Sequence, residues 1–167
     1  MKDSTQILSD QMLANWLVAT TVDEVGVSFF DFYTIGHICM GVGFFLFFSL
    51  FYTIPMSKDD ASQILLPLWA VWIITFLIGI AWEFIENIIL LEMGLKFEHR
   101  ADSLQNIITD VIFAGIGGLG SSLFCHLVFN KDKNMWAYYI FGIIGFGLWL
   151  GVFIILRYLT YQNTPVF

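Results

Sequence analysis

Seven residues able to carry charge, move protons or ligate a metal lie in or beside otherwise apolar stretches of this chain: His37, Glu83, Glu86, Asn87, Asp102, Asn106 and Asp110. A charge at bilayer depth costs roughly 2.5 to 3.5 kcal/mol on insertion scales, so such a set points to a site. Close carboxylates in low dielectric cannot all remain ionised, and some must hold a proton or share a cation. Carboxylate and amide oxygens with one imidazole suit a hard or borderline divalent cation such as Mg²⁺, Mn²⁺ or Zn²⁺. An acid pair working with His37 equally suits general acid–base chemistry. There is no His-Glu-x-x-His motif, and Glu83-x-x-Glu86-Asn87 lacks the histidine of carboxylate-bridged di-iron helices. A divalent cation is therefore open to the cluster without being specified by it.

Spacing ties these residues together. Glu83, Glu86 and Asn87 stand at i, i+3 and i+4, on one side of a helix. Asp102, Asn106 and Asp110 recur every fourth position and form one stripe. Folding the two helices antiparallel about Lys96 brings Glu83 level with Asp110 and Asn87 level with Asn106. His37 falls about 8 Å into the first helix from the same face, given a 1.5 Å rise per residue.

The elements that must position them follow from composition. With 58% hydrophobic and only 13% charged residues, the 167-residue chain is no ordinary soluble domain. Four stretches reach the roughly 20 residues needed to cross a hydrocarbon core: about 32–54, 64–91, 104–129 and 136–160. The expected fold is an all-α integral membrane protein, a single four-transmembrane-helix bundle with short loops over residues 1–167. Short connections make neighbouring helices antiparallel, which gathers the polar residues at one membrane face. Tyr33, Trp82, Tyr158 and Tyr161 mark that face as an interfacial belt; Tyr52, Trp69, Trp72, Trp136, Tyr138 and Tyr139 mark the other. Lys96, Arg100 and Arg157 balance Lys58, Lys131 and Lys133, so basic residues select no orientation.

Residues 1–25 carry Asp3, Asp10, Gln11 and Asn15 among their apolar positions, which excludes a cleaved signal peptide. An interfacial or bundle-packed helix is expected there. The net charge of −7 comes from clustered acids, and no basic stripe offers a nucleic-acid surface. Cys39 and Cys125 fall in opposite leaflets, too far apart for a disulfide, and read as small core residues.

Blander readings stand beside the sharper ones. Membrane asparagines often serve as interhelical glue worth about 0.6 kcal/mol, and Asp102, at the loop, is expected to cap the third helix. Gly115-x-Gly117-Gly118-x-Gly120 lies inside a span and follows no strand. With Ala114 and Ser122 it reads as a close-packing face, and Gly147 and Gly151 on the fourth helix are its expected partner. His99 and His126 lie away from the cluster. Lys96 and Arg100 are placed to meet an anionic head group at the mouth of the site.

The runs Tyr33-Thr34-x-x-His37, Ala81-Trp82-Glu83-x-x-Glu86-Asn87 and Asp102-Ser103-x-x-Asn106-x-x-x-Asp110 resemble those of an uncharacterised family of small bacterial multi-pass membrane proteins. The likeness covers roughly residues 33 to 120. More loosely, a histidine in helix one, acids in helix two and Asp with Asn in helix three are similar to VanZ-like proteins, a group linked to glycopeptide tolerance. Helix two here departs from that group's usual glutamate–glutamine pair. The resemblance implies a membrane location, as in the cell (inner) membrane of a bacterium, and a shared polar site; it implies no reaction.

The functional expectation is an acid-rich site, open to one leaflet, that binds or processes a polar lipid head group, with a divalent cation as a further component. Proton or cation translocation is a second class and needs a polar path to the far face, where mainly Thr75, Ser121 and Ser122 are on offer. A non-catalytic subunit of a larger membrane complex, or a homo-oligomer, is a third. Buried acids in mutual contact would speak against it, and acids turned to lipid would favour it.

Overall fold

The computed structural model describes residues 15–53, 66–96, 98–132 and 135–163. The expected helix over residues 1–14, the turn at 55–63 and the start of the second span at 64 lie outside them. The architecture is all-α, with four helices long and apolar enough to cross a membrane. Helix α1 spans Phe32–Thr53. Helix α2 spans Leu68–Phe84 and continues as a π-helix over Ile85–Leu90. Helices α3 (Leu104–Asp132) and α4 (Met135–Gln162) follow. The protein is an integral membrane protein built as a four-helix bundle.

Proline sets the start of the described part of the second span. Pro67 occupies the N-cap of α2 with extended backbone, and the α2 helix starts at Leu68. Proline disfavours helical geometry in the residue before it.

Helix α1 lies at the centre and packs against the other three, most extensively on α3. Glycine makes that approach close. A Cβ on Gly41 would run into the Ala114 carbonyl, and one on Gly117 into the Ile38 carbonyl, so α1 and α3 meet backbone to backbone. The small-residue face of α3 is thus a packing face, but its partners are α1 and also α2, whose Phe76 and Thr75 would meet a Cβ on Gly115 and Gly118. A Cβ on Gly147 or Gly151 would meet nothing within 4 Å among the described residues. Helix α4 instead docks by bulk into gaps: Phe146 covers Gly43, Phe153 covers Gly36, and Leu46 of α1 covers Gly142.

The aromatic belt is only partly interfacial. Trp69 and Trp136 are exposed, whereas Tyr138 is fully buried, its hydroxyl 2.9 Å from Ser49 Oγ. Trp72 donates from Nε1 to the Gly115 carbonyl at 3.0 Å, tying α2 to α3. A polar tip that finds a partner inside the bundle has no need of the interface. Cys39 and Cys125 are buried free thiols, as expected of core residues.

Before α1 the chain is not one continuous helix. Residues 15–17 are helical, Val18 forms an isolated bridge to Phe30, and Val22–Glu24 make a 3-10 turn. This segment packs on the bundle through Ala19 and Val25, which cluster with Phe32. Gly26 and Glu24 explain the break. Glu24 accepts from the Thr20 and Thr21 amides, closing the 3-10 turn, and Gly26 takes φ +73°, where side chains are rarely accommodated.

Candidate functional site

The start of α1 is fixed by a reciprocal cap. Asp31 Oδ1 accepts from the Tyr33 amide at 2.8 Å and the Thr34 amide at 3.2 Å, and Thr34 Oγ1 accepts from the Asp31 amide at 3.2 Å. The other oxygen, Oδ2, accepts from the Gly26 amide at 2.8 Å and from Asn106 Nδ2 at 3.2 Å. Asn106 Nδ2 also donates to the Ser28 carbonyl at 3.0 Å. Asn106 is therefore committed to the segment before α1, not to Asn87 across the α2–α3 seam. Asp31 is not among the seven residues that spacing and burial cost single out. Its sequence signal is the Asp31-x-x-Thr34 spacing just before an apolar run, a capping pattern.

Three of the expected residues converge. His37 Nε2 lies 3.4 Å from Glu83 Oε1 and 3.7 Å from Asp110 Oδ2. All three residues are buried, at 4%, 5% and 2% exposure, so the depth matching deduced from helix geometry holds. His37 Nδ1, Glu83 Oε1 and Asp110 Oδ1 are buried without a hydrogen-bond partner among the described residues. Such atoms are costly in a dry interior and call for a proton, a water or an ion.

A second cluster forms around Lys96, which is 3% exposed. Its ammonium pairs with Asp102, donates to Asn87 Oδ1 at 2.9 Å and lies 3.7 Å from Glu86 Oε1. Asn87 relays between the clusters: Oδ1 also accepts from the Asp102 amide at 2.7 Å, and Nδ2 donates to Glu83 Oε2 at 3.2 Å. The π-helical turn at Ile85–Leu90 carries Glu86 and Asn87, and π-bulges recur at functional sites. Trp82 Nε1 donates to Glu86 Oε2 at 2.8 Å.

Two expectations change here. Asp102 does not cap α3; Ser103 does, its Oγ accepting from the Asn106 amide at 3.2 Å, because Asp102 is drawn to the buried Lys96. Nor do Lys96 and Arg100 reach outward from the mouth. Lys96 turns inward to the acids, and Arg100 Nη2 donates to the Val22 and Val25 carbonyls at 3.4 and 2.7 Å, holding the N-terminal segment down. Asp31, which lies just outside the span, has its carboxyl raised above the usual range by burial, against the hydrogen bonds that favour its charged form.

Beside these clusters lies a cavity of about 410 Å³ between α1, α2 and α4. His37, Glu86, Lys96 and Tyr33 give it a polar end, and Met40, Leu90, Leu150 and Phe153 line the rest. Glu83 and Asn87 border a separate, smaller cavity of about 280 Å³ toward α3. His99 and His126 are exposed and take no part. Comparison with family models, curated proteins and solved structures finds no match for the chain.

Proposed function

We propose that the protein binds a polar lipid by its head group, in the cavity between α1, α2 and α4. One observation carries the reading: a single cavity joins a charged end, made by His37, Glu86 and Lys96, to apolar walls. A lipid has that same division, with a hydrogen-bonding head and hydrocarbon chains. Binding sites of this kind are mostly apolar with a few convergent polar groups. The polar end lies at the membrane face shared by the start of α1 and the end of α2, where head groups reside. The carboxylates at the site outnumber the Lys96 ammonium, which favours a head group with hydrogen-bond donors or a phosphate bridged by a cation. The acids point inward and share His37 and Lys96 as partners, which favours this over a role as inter-subunit contacts. Thr75, on the way to the far face, spends its hydroxyl on the Val71 carbonyl of its own helix. The resemblance to bacterial membrane families makes the cell membrane the proposed location.

The test is lipid analysis of protein purified in mild detergent, paired with thermal shifts on adding short-chain lipids of anionic, zwitterionic and neutral head groups. One class should co-purify and raise the melting temperature, and Leu150→Trp, which fills the cavity, should abolish both effects. A protein that carries no lipid and is stabilised by none of the three classes would sink the proposal.

A further inference from the structure

We propose that His37, Glu83 and Glu86 bind one divalent transition ion, Zn²⁺ or Mn²⁺. One ligand atom from each of the three lies within 4.8 Å of the other two. Two atoms each about 2.0–2.2 Å from a tetrahedral ion stand roughly 3.3–3.6 Å apart. The 3.4 Å between His37 Nε2 and Glu83 Oε1 already has that value.

The arrangement of the oxygens is the second, independent observation. In each carboxylate one oxygen is held by a neighbour and the other is left over. Glu83 Oε2 accepts from Asn87 Nδ2 at 3.2 Å, while Oε1 is buried without a partner among the described residues. Glu86 Oε2 accepts from Trp82 Nε1 at 2.8 Å, while Oε1 faces the Lys96 ammonium at 3.7 Å. Outer donors that clamp one oxygen and aim the other are how proteins orient metal-ligating carboxylates. Glu83 is 5% exposed, so its free oxygen faces protein and not water. One imidazole with two carboxylates favours a borderline ion over Mg²⁺ or Ca²⁺, which prefer all-oxygen shells. Asp110, 3.7 Å from the same imidazole nitrogen, places a further carboxyl group beside the ion.

Three protein ligands leave a coordination position open. His37 and Glu86 line the cavity between α1, α2 and α4, and Glu83 borders the smaller one toward α3, so a bound ion would lie between the two. If the head-group reading holds, the open position takes a phosphate or hydroxyl oxygen of the lipid; the ion site itself does not rest on that reading.

Detergent-purified protein, stripped with chelator and dialysed, is to be titrated with Zn²⁺, Mn²⁺ and Mg²⁺ and its metal content measured. Co²⁺ serves as a spectroscopic probe through its visible absorption bands. We expect one Zn²⁺ or Mn²⁺ per chain, no stoichiometric Mg²⁺, and loss of binding in His37→Ala and Glu83→Gln. Trp82→Phe keeps every ligand and removes only an outer donor, so it should weaken binding about 10- to 100-fold. Glu92→Gln, on the exposed surface, should change nothing. Absence of stoichiometric ion in the wild type, or undiminished binding in His37→Ala and Trp82→Phe, would overturn the site. Ion binding without any lipid effect would remove the head-group reading and leave the site standing.

Discussion

Asn106 reaches past the helix it faces in sequence and donates from Nδ2 to Asp31 Oδ2 at 3.2 Å, joining the N-termini of α3 and α1. The two helices run in the same direction, so their positive dipole ends meet at this carboxylate, an arrangement that favours negative charge. Burial opposes it and raises the Asp31 carboxyl above its ordinary 3.8.

That opposition gives a pH dependence of known sign. A carboxyl whose folded-state pKa is raised binds its proton more tightly folded than unfolded, so stability is lost as pH rises. The loss should begin near the ordinary value and be complete once pH passes the raised native value. Asp31→Asn should be less stable than wild type by about 1–3 kcal/mol at low pH, since its amide would face the Gly26 and Asn106 donors. The gap should narrow as pH rises. Melting in detergent across acid to neutral pH checks this, and a gap that widens instead would show that the hydrogen bonds outweigh burial.

Lys96 tests the second cluster. Removing one partner of a buried ion pair typically costs about 3–5 kcal/mol because the other charge is left stranded. Lys96→Met should therefore destabilise strongly, and Lys96→Met with Asp102→Asn should cost markedly less than the two single changes together. Additive costs would mean that the pair is solvated.

Glycine placement makes a sharp contrast between helices. Gly41→Ala should destabilise by about 1–3 kcal/mol, since the added methyl meets the Ala114 backbone and has no flexible neighbour to displace. Gly147→Ala and Gly151→Ala should be neutral or mildly stabilising, because the space is open and alanine is the better helix former. Thermal melts of the three variants decide it; a costly Gly151→Ala would instead point to a neighbour seated on α4.

The contrast also shows what can be read from sequence. Span lengths and the shared depth of His37, Glu83 and Asp110 follow from helical rise and short connections, which depend little on detail. Rotational phase is harder. Glu83 and Asn87 do share a side, joined at 3.2 Å, but spacing does not report that Asn87 also turns to Lys96 and the Asp102 amide from the π-helical turn at Ile85–Leu90. Periodicity misplaces Asn106 and Asp102 because their partners lie in irregular chain, Gly26–Asp31 and Lys96, where no repeat reports on position. The Gly147–Gly151 spacing matches a packing motif, but spacing names a face and not the helix that covers it.

The imidazole of His37 supplies the most discriminating prediction. Its Nε2 faces Glu83 at 3.4 Å and Asp110 at 3.7 Å, and one nitrogen offers one hydrogen or one lone pair at a time. In metal-free protein the two carboxylates therefore compete for it. Asp110→Asn replaces a carboxylate with a weaker amide acceptor, which should let His37 commit to Glu83. The coupling between His37→Gln and Glu83→Gln, measured by double-mutant cycle in detergent with chelator present, should then be larger in the Asp110→Asn background than in wild type. Contacting buried residues show coupling of about 0.5–3 kcal/mol, so a change of even half that range is readable. Equal coupling in the two backgrounds would mean that Asp110 is a bystander held by its own surroundings. A smaller coupling in Asp110→Asn would mean that the three act as one unit, with Asp110 holding the imidazole in place for Glu83.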